Sequence, residues 1–293
     1  MIEFDLSPDS PFWTFTKVLC GISTLFVLAR IYTRVFVTRF FGVDDALILI
    51  AMVAAMSDCV ILWESFQFGL GEHVQNVTPS NLTMVLKLVF AYYMLYLLAA
   101  HAIRASLVVL YRRLSVSPRF LIICNIYLAC NAILYISYFF VLLFMCSPVQ
   151  YYWDKTIKGE CPNAQLKSVT NSWFLIALDL GALALPIPAL WKMKLPWGQR
   201  VWLGICFMIG SFVCIASFNR LTSFFRSEDV TYELRWIHAW SLLEINFGLI
   251  AACVPSLRHV FTPPGKFQRN CPLVEENNAM VGSRELLRRS GLT

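Results

Sequence analysis

The sequence predicts an all-α fold: a seven-transmembrane helix bundle with an external amino terminus and a cytoplasmic carboxyl terminus. Three observations carry that expectation. Of 293 residues, 58% are hydrophobic and 14% charged, with a mean hydropathy of +0.63, whereas an average soluble domain carries about a quarter charged residues. Seven apolar runs have the length, roughly 20 residues, that the hydrocarbon thickness of a bilayer requires. Lysine and arginine alternate between the connecting segments with a strong bias, 15 on one side against seven on the other, the asymmetry that orients multi-pass proteins. The net charge of +6 therefore reports orientation, and nucleic acid is not an expected partner.

The chain divides into a short external amino terminus (1–11), a membrane domain (12–261) and a flexible cytoplasmic tail (262–293). Residues 1–11 hold Glu3, Asp5 and Asp9 and no Lys or Arg, unlike the basic start of a secretory signal peptide, so the first span is expected to stay in the mature protein. Spans are expected near 12–34, 45–68, 84–110, 119–145, 168–190, 200–222 and 235–257. Between the first two lie Arg30, Arg34 and Arg39, on the cytoplasmic side by charge, and then Asp44-Asp45. Carboxylates opening a helix accept its unpaired N–H groups and suit its dipole; the alternative for this pair is docking or signalling.

After the second span come two sequons, Asn76-Val77-Thr78 and Asn81-Leu82-Thr83, which fall in an external loop and make Asn76 and Asn81 candidate glycosylation sites. Tryptophans bracket the spans, Trp13, Trp63, Trp173, Trp236 and Trp240 near outer ends and Trp191, Trp197 and Trp202 near inner ends. Seven cysteines (Cys20, Cys59, Cys124, Cys130, Cys206, Cys214, Cys253) sit in apolar runs, where a thiol acts as a small hydrophobe. Cys146 and Cys161 instead bracket a polar loop; a disulfide between them closes a ring of about 15 residues, nominally worth about 3 kcal/mol. In the tail, Arg284 to Arg289 are placed to lie on an anionic inner leaflet.

Ionisable residues inside spans usually face the bundle interior and pair. Here they are Asp58, Glu64, His101, Arg104, Asp179, Arg220 and Glu244. Asp58 shares a face with Ala51, Ala54 and Ala55, a stripe small enough for close helix approach. His101 and Arg104 are three apart, hence neighbours. Asn171, Leu175 and Asp179 run down one side of the fifth span, Ser241, Glu244 and Gly248 down one side of the seventh, and Gly210, Cys214 and Ser217 lead to Arg220 on the sixth. One interior cluster of Asp58, Arg104, Asp179, Arg220 and Glu244 is therefore expected. Ion pairs that brace the helices and a functional cavity both fit this pattern. For the cavity, Asp58, Asp179 and Glu244 are the candidate acid–base groups, with His101, Arg104 and Arg220 as charge partners or ligand-cavity residues. No second His or Cys at ligand spacing joins His101, and Gly69-Leu70-Gly71 is too short to cradle a phosphate; neither metal nor cofactor is expected.

Arg30-Ile31-Tyr32-Thr33-Arg34 with Gly42-Val43-Asp44-Asp45, then Gly69-Leu70-Gly71-Glu72-His73, Cys146-Ser147-Pro148, Trp153, Gly159-Glu160-Cys161, Asp179 with Leu185-Pro186-Ile187-Pro188, Gly210, Arg220, Asp229 with Thr231, Glu244 and Cys253-Val254-Pro255-Ser256-Leu257-Arg258 follow one another in this order. The order resembles the fungal rhodopsin-like integral membrane proteins, the satratoxin-cluster type related to appressorium receptor-like proteins. The resemblance runs from Phe12 to Phe261 and implies seven helices, an external amino terminus and a fungal source. Two departures stand out. An opsin carries a lysine in its last span for the retinal Schiff base, and Arg235 to Leu257 has none; larger receptor-like members carry a cysteine-rich external domain, where only about eleven residues precede the first span here.

Two functions follow as expectations. One is a membrane component of a secondary-metabolite pathway that binds or converts a lipophilic intermediate, alongside other pathway enzymes. The other is a receptor-like sensor without retinal, coupled to a cytoplasmic signalling partner; against it stand the short loop Trp191 to Gln199 and the lack of an acidic-Arg-aromatic signature at Leu110-Tyr111-Arg112-Arg113. A transporter ranks last, since no inverted repeat is visible. Both plasma membrane and endoplasmic reticulum or other endomembrane suit the sequence, and enzyme activity is open.

Overall fold

Proline and glycine set most of the helix boundaries. Pro11, Pro79 and Pro118 open helices, where a missing N–H is no loss; Gly42 caps another, and Gly69 and Gly71, at φ +99° and +96°, turn the chain out of it. The computed structural model describes residues 11–114, 117–154, 156–187, 197–225 and 230–261. They form α1 (Pro11–Tyr32), continued by a π-helical turn (Thr33–Val37), α2 (Val43–Gln67), α3 (Pro79–Leu114), α4 (Pro118–Leu143), α5 (Ala164–Ala184), α6 (Trp197–Ser223) and α7 (Val230–Phe261). Short 3-10 turns occupy Val74–Asn76 and Val149–Tyr152. No strand occurs among the described residues; Ser147 and Glu160 form one isolated antiparallel bridge.

Among the described residues six segments are long and apolar enough to cross a membrane: Thr14–Val37, Val43–Gln67, Pro79–Arg113, Pro118–Leu143, Gly204–Ser223 and Leu234–Ser256. The expected seven spans thus narrow to six on length and composition. α5 is the exception, because Lys167, Ser168, Thr170, Asn171, Ser172 and Asp179 dilute its 21 residues. The inner-end Trp191 and the tail 262–293 lie outside the described residues.

α7 is the pillar: most of Leu234–Ser256 is buried, whereas along α4 only Cys124, Asn131 and Leu142 are. α4 turns Ile122, Ile126, Ile133, Ile136 and Phe140 outward, and α1 does the same with Val18, Ile22, Leu25 and Leu28. An apolar belt of this extent suits lipid, not water. α2 and α3 pack most extensively, through Ala51, Ala54 and Ala55 on one and Ala99 and Ala100 on the other; small residues let two backbones approach.

At the carboxyl-terminal end of the bundle Arg30 is fully buried, and all three of its nitrogens are used. Nη2 donates to Asp44 Oδ2 (2.7 Å), Nε to Asp45 Oδ1 (3.0 Å) and Nη1 to the Ala252 carbonyl (2.6 Å), joining α1 to α2 and α7. Arg34 and Arg113 approach the same carboxylates at 3.4 and 2.5 Å. The Arg113 guanidinium lies against Gly42, where a Cβ would push it aside. Asp45 Oδ2 also accepts the Gly42 N–H at 3.1 Å, so the acidic pair opens α2 as expected, but its larger task is to neutralise Arg30. Removing one member of a buried pair costs about 3–5 kcal/mol. Arg30→Ala should lose that much in unfolding experiments in lipid nanodiscs, and Arg30→Lys, with a point charge in place of a three-way fork, should fall between; wild-type melting of Arg30→Ala would contradict this clasp.

Candidate functional site

Midway through the bundle a second group of charges ties α3, α5, α6 and α7. Arg104 on α3 presents its Nε and Nη2 edge to Asp179 on α5, with two bonds of 2.8 Å to Oδ1 and Oδ2, the fork-on-fork geometry of a strong pair. Nη2 also donates to Glu244 Oε1 on α7 at 2.9 Å. The Tyr96 hydroxyl lies 3.0 Å from both Glu244 oxygens, and Ser217 on α6 donates to Asp179 Oδ2 at 2.9 Å. Arg220, also on α6, brings Nε to 3.2 Å from Glu244 Oε2 and stacks over the Tyr96 ring at 5.0 Å. Two cations meet two anions, all four at most 7% exposed. Every oxygen of Asp179 and Glu244 has at least one donor or cation against it.

Four of the five residues expected in one cluster thus meet, and Asp58 does not join them. It is buried on α2, yet neither carboxyl oxygen has a hydrogen-bond partner among the described residues. The alanine face that Asp58 shares packs on α3, but the α3 side chain near Asp58 is Tyr92, three turns before Arg104, too far along the helix for the arginine to reach it. His101 leaves the cluster as well: its Nδ1 meets Asn131 on α4 at 2.9 Å. Glu64 is exposed one turn from the end of α2, where a charge reaches the interface, so it has no need to face inward. Ser217 joins from the small face that leads to Arg220 on α6; Tyr96 is the addition, and because Tyr96, Ala100 and Arg104 recur every fourth residue on one face of α3, spacing alone points to it. His238, whose ring lies tilted against Tyr92 at 4.2 Å, likewise extends the Ser241 and Glu244 stripe of α7 by one turn.

A narrow cleft runs from the disulfide end of the bundle to this cluster. Tyr93, Tyr138, Leu142 and Met145 wall it, Ser168 and Asn171 of α5 supply polar groups, and Arg220 lies within it with Tyr96. It encloses about 360 Å³ to its mouth, but the clear space, about 20 Å³, holds about one water. The expected disulfide, Cys146–Cys161, is formed, and its loop packs Tyr151 and Tyr152 against Tyr93 and Met145 above the cleft. Within that loop Asp154 accepts bonds from the Thr156 hydroxyl (2.6 Å) and N–H (3.0 Å), which hold its carboxyl below the ordinary range. Asn76 is exposed on its 3-10 turn, while Asn81 is half-buried in the first turn of α3. No metal-binding cluster of His, Cys, Asp or Glu occurs among the described residues.

The fungal rhodopsin domain matches residues 29–263, from the Arg30 clasp past the end of α7. The chain belongs to the fungal rhodopsin domain family. Among its relatives, a SAT4 family membrane protein of Emericella nidulans is 31% identical over 216 residues, covering 70% of this chain and 54% of that protein. The polyenoic acids biosynthesis gene cluster protein Ba17b of Metarhizium anisopliae is 22% identical, with 97% of this chain and 82% of that protein covered. Receptor GIN3 of Arthrobotrys oligospora is 29% identical over 28% of this chain and 21% of that protein. The chain spans about half the length of the Emericella protein. No solved structure matches it. Despite the name fungal rhodopsin, α7 holds no lysine, so a retinal Schiff base has no anchor there.

Asp58 gives a direct check on this division between paired and unpaired charges. Because it loses no ion pair, Asp58→Asn or Asp58→Leu should melt at or above the wild-type temperature in nanodiscs. A fall of several degrees in both would mean that the carboxyl holds a partner.

Proposed function

We propose that this protein is a multi-pass membrane component of a fungal secondary-metabolite pathway that binds or converts a lipophilic intermediate. The observation that carries the reading is the tyrosine-walled cleft that ends on buried charge: Arg220 and Tyr96 belong both to the cleft and to the ionic cluster. Ionisable groups inside a membrane are costly, and where they occur they often mark substrate or proton pathways. The relative named for polyenoic acid biosynthesis, matched over nearly the whole of this chain, supports the same reading. Asp179 and Glu244 are the groups placed to move a proton or orient a polar atom, with Arg104 and Arg220 as their counter-charges; Asp58, away from the cleft residues, is the weakest of the three carboxylates for this role. In this reading α5 is a seventh span, tolerated because its polar face lines the cleft, and the Lys and Arg asymmetry puts the disulfide end outside or in the lumen of an endomembrane.

Membranes holding the protein should turn over or bind a pathway intermediate, and Asp179→Asn or Glu244→Gln should slow turnover or weaken binding while the protein stays folded. Unchanged rates and affinities in both variants reject the role assigned to these carboxylates. The orientation has its own test: a glycosidase-sensitive mass shift that disappears in Asn76→Gln is expected, and a shift seen instead only with sequons placed in the α3–α4 connection would reverse the topology.

The similarity to receptor GIN3 favours a second reading, a receptor-like sensor in which the Arg30 clasp at the opposite end of the bundle changes state when the cleft fills. Ligand-dependent recruitment of a G-protein subunit by the full chain would favour it over the pathway role; consistent failure to recruit one would count against it.

A further inference from the structure

Two guanidinium groups share the ionic cluster, and only one is filled. Along its Nε and Nη2 edge Arg104 grips a carboxylate with two parallel bonds. The same two nitrogens of Arg220 have no hydrogen-bond partner. Glu244 Oε2 comes to 3.2 Å of Nε, near enough for attraction but not aimed as a hydrogen bond. Glu244 is not free to turn towards it, because Arg104 holds Oε1 and the Tyr96 hydroxyl lies against both oxygens. Arg220 is only 3% exposed, and a buried donor left unmet is destabilising. Its central carbon lies 5.0 Å from the centre of the Tyr96 ring, and the unbonded Nε and Nη2 edge is what remains for recognition.

We propose that the cleft takes an amphiphile with a terminal carboxylic acid, whose two oxygens engage the open Nε and Nη2 edge of Arg220. The proposal rests on the cleft being the binding site, and adds the chemistry of its occupant. A planar fork of two N–H donors matches a carboxyl group better than a lone carbonyl or hydroxyl. The acid enters from the bilayer in its neutral form, and its proton is shared with the nearby Glu244 Oε2, so the cluster's balance of two cations and two anions is kept. The head group replaces the single water that the clear space can hold. The body of the ligand lies between Tyr93 and Tyr138, and a slender, flat or conjugated chain fits there better than a bulky ring system. Room for it comes from Met145 and Leu142 at the end of α4: methionine is unbranched and adapts its shape readily, and α4 is the most lipid-facing of the long helices.

The test uses the full chain in lipid nanodiscs, with empty nanodiscs as reference. The fluorescent conjugated acid cis-parinaric acid is titrated beside its methyl ester. The acid should bind about tenfold tighter or better, the ratio expected for a charge-assisted bond. Arg220→Gln should erase the preference, bringing the acid's affinity down to that of the ester. Arg220→Lys, which keeps the charge and loses the fork, should erase most of it and serves if Arg220→Gln does not fold. Leu142→Trp, which fills the cleft, should weaken both ligands. Equal binding of acid and ester to the wild type, with both weakened by Leu142→Trp, would overturn the carboxylic acid proposal and leave cleft binding standing. A preference for the acid that survives both Arg220 variants would place the anion elsewhere and also overturn it. Binding of neither ligand would overturn the proposal together with the reading of the cleft as a lipophile site.

Discussion

A charge placed inside a bilayer must find its opposite on another helix, and that requirement sets the geometry of this bundle. Lipid supplies no hydrophobic drive to bring helices together. What selects one arrangement is close packing of small residues and the cost of leaving an ion unmatched. The clasp around Arg30 ties α1, α2 and α7 at one end, and the cluster around Arg104 ties α3, α5, α6 and α7 at mid-depth. α7 belongs to both, which accounts for its near-complete burial.

Such pairs define an arrangement more than they add stability. Taking two ions out of water costs several kcal/mol each, and the attraction regained inside offsets this only with good geometry. The Arg30 clasp and the Arg104–Asp179 fork have that geometry. Arg220 does not, and Asp58 has no partner among the described residues at all. Uneven matching of this kind is uncommon where charges serve only as braces, because a brace works best when every donor and acceptor is used. At Arg220 it leaves the edge that the proposed ligand would fill.

Much of this was legible in the sequence, for physical reasons. Apolar runs of bilayer length report helices whatever their partners, and the Ala51, Ala54 and Ala55 stripe reports close approach. The meeting of Arg104, Asp179, Arg220 and Glu244 could be anticipated because spans offer few other places for charge, and the Cys146–Cys161 bridge because only those two of the placed cysteines flank a polar loop. What failed depended on pairing between distant segments. Asp58 obeyed the rule that charges face inward, but inward for α2 meant α3 and its alanines. Arg30 and Asp44-Asp45 read separately as a topology marker and a helix cap, since spacing along one helix cannot show that a guanidinium on α1 reaches both carboxylates and a carbonyl of α7. α5 blurred the count of spans because the polar residues that line the cleft are the ones that lower its hydropathy.

The central claim, that the mid-depth charges form one mutually dependent unit within the bilayer, is tested most directly by a double-mutant cycle on Arg104 and Asp179 in nanodiscs. Arg104→Met leaves Asp179 without a cation and Asp179→Leu leaves Arg104 with Glu244 alone, so each single change should cost on the order of 3 kcal/mol. The double variant should recover most of that loss, giving a coupling energy on the order of 3 kcal/mol. Additive losses, with no recovery in the double variant, would mean that the two side chains do not meet and would contradict the account.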